Sequence, residues 1–204
     1  MTPRELLTRL PAGDTAVRAA CAAAYGDHHE LTEAACARVW ALARHYADAY
    51  SADDEIVLVR APGRVNLIGE HTDYNGLPVM PMAISRDVLV MAARATGGAV
   101  QITNVEGMFE PRNFALARHI PPYQPGDWGN YVKSAMQGLI DYWQSADGLS
   151  GMRMAISGNV PVASGLSSSA AFTIACALAL LHTHQRALDP LVFADVMAHS
   201  DHYV

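Results

Sequence analysis

The chain has 204 residues, 51% of them hydrophobic, with a formal net charge of -6. That length supports a sizeable core, and the acidic balance with scattered Lys and Arg excludes a basic face for nucleic acid or an anionic membrane. Cys21, Cys36 and Cys176 have neither the even number of a disulfide framework nor metal-ligand spacing, and no apolar run approaches a secretory leader or a membrane span, so a reducing cytoplasmic location is expected.

Residues 1–52 are Ala-rich with helical spacing, as in Cys36, Val39, Trp40, Ala43 and Tyr46, until Ser51, Ala52, Asp53 and Asp54 break it. Two or three helices are predicted there. Residues 56–59 form a β-branched run ended by Ala61, Pro62 and Gly63, and residues 87–92 and 100–103 are further strands separated by Gly97 and Gly98. The spacing of Tyr131, Val132, Ala135, Leu139 and Ile140 predicts a helix over 128–143 with Asp127 as its N-cap. Met152, Met154 and Ile156 then alternate with Arg153 and Ala155, as in a strand facing a core on one side. Residues 168–184 form a helix whose interior, 170–181, carries no charge, so most of its circumference must be buried.

Two stretches carry chemistry. The first, residues 161–171 (PVASGLSSSAA), is a small-residue loop opening an apolar helix. A helix start offers unpaired backbone N–H groups and the positive end of the macrodipole, which suits an anion where the side chains are small. Ala163, Ser164, Gly165, Ser167, Ser168 and Ser169 meet that requirement, and a Ser hydroxyl can also turn a lone pair to Mg²⁺. A Ser-rich cap without a ligand explains the loop equally well, and the absence of a following Gly-Lys-Ser/Thr excludes a Walker A loop.

The second stretch, residues 63–74 (GRVNLIGEHTDY), packs Arg64, Glu70, His71 and Asp73 into a Gly-punctuated turn that Val65, Leu67 and Ile68 are expected to anchor to a core. Two carboxylates and an imidazole offer acceptors and a donor for adjacent sugar hydroxyls, and Arg64 could neutralise a carboxylate or a phosphoryl group. Taken singly, Glu70 and Asp73 could cap a helix or pair with Arg64, and His71 could be an ordinary buried histidine.

Residues 63–74 resemble the galactokinase signature, and residues 161–171 resemble the ATP-binding motif of the wider family of galactokinase, homoserine, mevalonate and phosphomevalonate kinases. The resemblance extends through Ala61-Pro62, Pro81-Met82-Ala83-Ile84, Trp128 with Asn130-Tyr131-Val132, and Ile156-Ser157-Gly158-Asn159-Val160-Pro161. It implies an α+β domain of the GHMP kinase type over residues 53–204, which the helical extension read above over 1–52 precedes. It implies ATP and Mg²⁺ as cofactors and galactose as the substrate. Glu70, His71, Thr72 and Asp73 would bind the sugar, and Arg64 would stabilise the transferring phosphoryl group. Ala163, Ser164, Gly165, Leu166, Ser167, Ser168 and Ser169 would wrap the triphosphate, with Ser169 and Asp201 on the Mg²⁺ side. The resemblance also implies that a catalytic Asp and a second domain lie beyond Val204, so the chain is expected to be an N-terminal part without appreciable turnover by itself. The alternatives are a kinase for N-acetylgalactosamine, arabinose or galacturonate, or a non-catalytic sugar- or nucleotide-binding remnant or regulator. No oligomeric state is implied.

Overall fold

The computed structural model describes residues 1–13, 15–26, 28–69, 75–162 and 164–200. Three helices open the chain: α1 (Pro3–Arg9), α2 (Thr15–Tyr25) and α3 (His29–Ala49). A capping box starts α1, in which Glu5 N–H donates to Thr2 Oγ1 at 3.2 Å and Thr2 N–H donates to Glu5 Oε2 at 2.9 Å. Strands β1 (Val57–Ile68), β2 (Met80–Ala95), β3 (Ala99–Asn104) and β4 (Arg112–Ala115) follow, then α4 (Gly129–Trp143), β5 (Gly151–Gly158), α5 (Ser168–Thr183) and α6 (Pro190–Ser200).

The five strands form one mixed sheet in the order β1-β2-β5-β3-β4, parallel only between β3 and β5. Because side chains alternate across a strand, β2 serves two cores. Val88, Val90 and Ala92 face a core shared with α4, α5 and α6, while Leu89, Met91 and Ala93 face a second core with Leu6, Val39, Leu42 and Tyr46 of the opening helices. The molecule is therefore a helix–sheet–helix sandwich. Helix α5, without a charge from Ser168 to Leu181, is buried or half-buried along that whole length.

Three expectations need correction. Strand β1 does not stop at Ala61-Pro62-Gly63 but runs on to Ile68, with a register shift between Pro62 and Arg64. As the edge strand it tolerates a proline, whose missing N–H costs no ladder bond on an open side. Strand β5 does not face a core on one side only, since Met152, Met154 and Ile156 enter one core and Ala155 enters the other. Trp128, not Asp127, holds the cap position of α4, although Asp127 Oδ1 does accept the Gly129 N–H at 2.8 Å.

Past the end of α5, the His184 ring is half-buried between Leu180 and Ser150. Ser150 N–H donates to Nε2 at 3.0 Å and Nδ1 lies 3.0 Å from Leu180 O, an arrangement that suits the neutral ring protonated at Nδ1. Burial lowers the His184 pKa, and it lowers that of His45 as well.

Three outcomes are expected. Leu42→Ala in one core and Leu139→Ala in the other should each cost about 2–5 kcal/mol. In urea, near-UV and far-UV signals should fall in one transition, because β2 belongs to both cores; separate transitions would contradict a shared sheet. With folded-state pKa values below the ordinary histidine value, His184 and His45 bind fewer protons in the folded than in the unfolded state. Their contribution is complete above about pH 6.5 and is lost as pH falls below it. The urea midpoint should therefore drop on acidification through that range, and less so in a His45→Gln/His184→Gln variant.

Candidate functional site

The residues expected to bind an anion lie where β5 leaves the sheet and turns into α5. Gly165 and Ser167 both have positive φ, 73° and 56°, which folds the turn back on the helix axis. Ser164 Oγ donates to Pro161 O at 2.7 Å and steadies the loop entry. Ser167 holds the cap position of α5, yet its side chain caps nothing, and the first helical bond is Ala171 N–H to Ser167 O at 3.0 Å. The N–H groups of Ser168, Ser169 and Ala170 therefore have no intrahelical acceptor. A Ser-rich stretch that served only to cap would be expected to turn a hydroxyl onto them.

Ser168 and Ser169 instead line a cavity of about 260 Å³. Its other walls include Val160, Trp128, Tyr131 and Phe172. The Trp128 and Phe172 rings meet edge to face with centroids 6.2 Å apart, and Tyr131 packs on Phe172 at 5.9 Å. One end of the cavity is thus an uncapped helix start and the rest is largely aromatic and apolar. A larger open groove of about 520 Å³ lies between α4 and α6, lined by Gly138, Tyr142 and His199 among others, and none of the expected site residues that are described lines it.

Strand β1 is tied directly to this turn. Arg64 N–H donates to Leu166 O at 3.0 Å, and Gly63 sits so close beneath that a Cβ there would fall 2.9 Å from the same oxygen. The Arg64 side chain is half-buried and has no hydrogen-bond or ion-pair partner among the described residues. The structure thus brings together Arg64, Ser164, Gly165, Leu166, Ser167, Ser168 and Ser169. Glu70, His71, Thr72, Asp73, Ala163 and Asp201 lie outside the described residues.

Anchoring of the stretch over residues 63–74 differs from expectation. Leu67 and Ile68 are exposed, at 57% and 71%, and Val65 is half-buried, because β1 and β2 run past the edge of both helical layers at this end. Residues 63–68 are strand, not turn. The aromatic wall was not foreseen from the residues alone. Its signal lay in Trp128 and Tyr131 at the start of α4 and in Phe172, the one aromatic residue in α5.

Known proteins fit this geometry. Residues 44–94 match the family model described as the galactokinase galactose-binding signature, and residues 130–204 match the GHMP kinases N-terminal domain. The two matched segments resemble the galactose-binding signature and the N-terminal domain of the galactokinase-type GHMP kinases, in that order along the chain. A galactokinase of Candida maltosa is 38% identical over 138 residues, which are 66% of this chain and 64% of the relative. One from Bos taurus is 42% identical over 137 residues, 65% of this chain and 33% of the relative. The chain therefore spans less than two thirds of either relative's length. Among solved structures, Lactococcus lactis galactokinase complexed with galactose superimposes with a TM-score of 0.71 at 28% identity, covering 78% of this chain and 41% of that one. Methanococcus jannaschii mevalonate kinase, at 22% identity and a TM-score of 0.63 over 72% of this chain and 46% of its own, shares the fold.

Gly63→Ala should push the Leu166 carbonyl off the Arg64 amide. A hydrogen bond of about 0.5–1.5 kcal/mol is at stake, so hydrogen exchange at Arg64 should quicken by up to about tenfold while the β3–β4 pairs keep their protection. Unchanged exchange at Arg64 would show that the turn does not depend on the close approach.

Proposed function

We propose that this chain is the nucleotide- and sugar-binding part of an ATP-dependent sugar 1-kinase whose substrate is galactose and whose products are galactose 1-phosphate and ADP. The observation that carries this reading is the uncapped start of α5 opening into an aromatic cavity, with β1 bonded to the same turn at Arg64. The cavity suits a nucleobase, whose flat face packs on Trp128, Tyr131 or Phe172. The N–H groups of Ser168, Ser169 and Ala170, which have no intrahelical acceptor, suit the phosphates.

In this reading Glu70, His71, Thr72 and Asp73, which follow β1 in the sequence, hold the sugar hydroxyls, as the galactose-binding signature over 44–94 supports. Phosphoryl transfer relies on positioning and charge neutralisation. Arg64 supplies a fixed charge toward the transferring group, without a carboxylate partner among the described residues to neutralise it. Its backbone bond to Leu166 keeps the sugar strand in register with the phosphate turn.

Mg²⁺ fits the residues present. Ser169, half-buried at the cavity wall, offers a hard oxygen, and Asp201 is proposed as the acidic partner. Mg²⁺ in nucleotide sites is held largely by phosphate oxygens and water with one or two protein oxygens. When bound, Mg²⁺ would offset the charge of the phosphate chain. The three buried free thiols fit a reducing compartment, and we place the protein in the cytoplasm.

Titration of this chain with MgADP should quench the Trp128 fluorescence, and Phe172→Ala should weaken binding by about 2- to 12-fold, the effect of an aromatic contact of roughly 0.5–1.5 kcal/mol. In the full-length protein Arg64→Ala should lower kcat more than it raises KM for galactose, whereas Asp73→Ala should chiefly raise that KM. Absence of nucleotide binding, or equal effects of both substitutions on KM with kcat unchanged, would refute these roles.

A further inference from the structure

Asp87 is fully buried at the head of the apolar run Val88–Ala93 of β2, and the phosphoryl-transfer reading gives it no task. A buried carboxylate costs several kcal/mol unless it is well paired, and this one is paired on every side. Its Oδ1 accepts from Arg38 Nη1 of α3 at 2.6 Å, and its Oδ2 accepts from Arg60 Nε of β1 at 2.6 Å and from the Tyr25 hydroxyl of α2 at 2.5 Å. Arg60 also lies over the Tyr25 ring, 4.3 Å from its centroid. Burial, reinforced by Asp87 itself, pushes the Tyr25 phenol up to about 12, so the hydroxyl stays a donor at physiological pH.

The backbone of Asp87 makes a second set of bonds. Its N–H donates to Asn159 Oδ1 at 2.7 Å, and its carbonyl accepts the Asn159 N–H at 3.0 Å. Arg38 adds a bond from Nη2 to Ser157 O at 3.3 Å. Asn159 is the first residue after β5, and the next, Val160, both lines the aromatic cavity and packs beneath Gly63. A continuous chain of bonds and contacts therefore runs from α2 and α3, on one side of the sheet, through Asp87 to the loop that opens α5 on the other.

We propose that Asp87, held by Arg38 and Tyr25, is a positioning residue: it fixes Asn159 and so sets where the chain leaves the sheet into the phosphate turn, making α2 and α3 a working part of the ligand site. The inference rests on the nucleotide reading above for its ligand, but not for its geometry.

The test uses the 204-residue chain with Arg38→Met, Arg38→Lys and Asp87→Asn, read by site-resolved hydrogen exchange without ligand and by MgADP titration. Arg38→Met and Asp87→Asn should speed exchange at Asn159 and Arg64 at least tenfold, leave the β3–β4 amides protected, and weaken MgADP binding at least fivefold. Arg38→Lys, which keeps the charge beside Asp87, should recover part of both losses. If Asp87→Asn does not fold, the two Arg38 variants decide. Unchanged exchange at Asn159 and Arg64, with only the opening helices loosened, would overturn the proposal and reduce Asp87 to an anchor for those helices. Parent chain that shows no MgADP binding would refute the nucleotide reading, while the exchange pattern would still decide for or against the positioning role.

Discussion

Strand β2 is the member on which both halves of the molecule are built. From Val88 to Ala93 every side chain is buried, alternately toward the core with α4, α5 and α6 and toward the core with α1, α2 and α3. Neither helical layer touches solvent-facing sheet, and each layer covers what would otherwise be an exposed apolar face. The opening helices thus have a physical reason to be there: without them Leu89, Met91, Ala93 and Ala155 would lie bare.

The site gathers where this frame is least regular. Between Pro62 and Arg64 the β1–β2 ladder slips register, and at the same level β5 ends and the chain passes into the turn before α5. Those irregularities release main-chain groups from the sheet and let two backbones approach, β1 through Arg64 N–H and the turn through Leu166 O. Aromatic side chains from α4 and α5 then close the space above them. Such a site makes few demands on individual side chains at the turn and many on backbone path, in keeping with the small residues found there.

Much of this was legible in the sequence, for reasons that can be traced residue by residue. Helices α4 and α5 announced themselves through long periodic or charge-free runs, and the uncharged interior of α5 correctly demanded burial nearly all round. Strand β4, four residues long, and α6, with Leu191 82% exposed, carried too little pattern to be read. The far end of β1 was missed because Pro62 and Gly63 read as a stop, whereas an edge strand accommodates both. Leu67 and Ile68 misled in the opposite sense, since apolar residues reveal a preference for burial but not whether a neighbouring element is present to provide it. Asp87 did leave a trace, as a lone carboxylate at the head of an apolar run, but only the fold could show which arginines answer it.

The contact beneath Gly63 limits how this region can drift. Two of the three atoms that a Cβ there would crowd belong to the side chains of Val160 and Ile84, and a smaller residue at either position could make room. The third is the carbonyl oxygen of Leu166, which every amino acid possesses. A clash with a side chain can be relieved by a compensating change in its owner, but one with a main-chain oxygen has no such second-site remedy. Position 63 is therefore closed to gradual exploration, whereas the pocket walls around it remain open to paired substitutions that could reshape what they enclose.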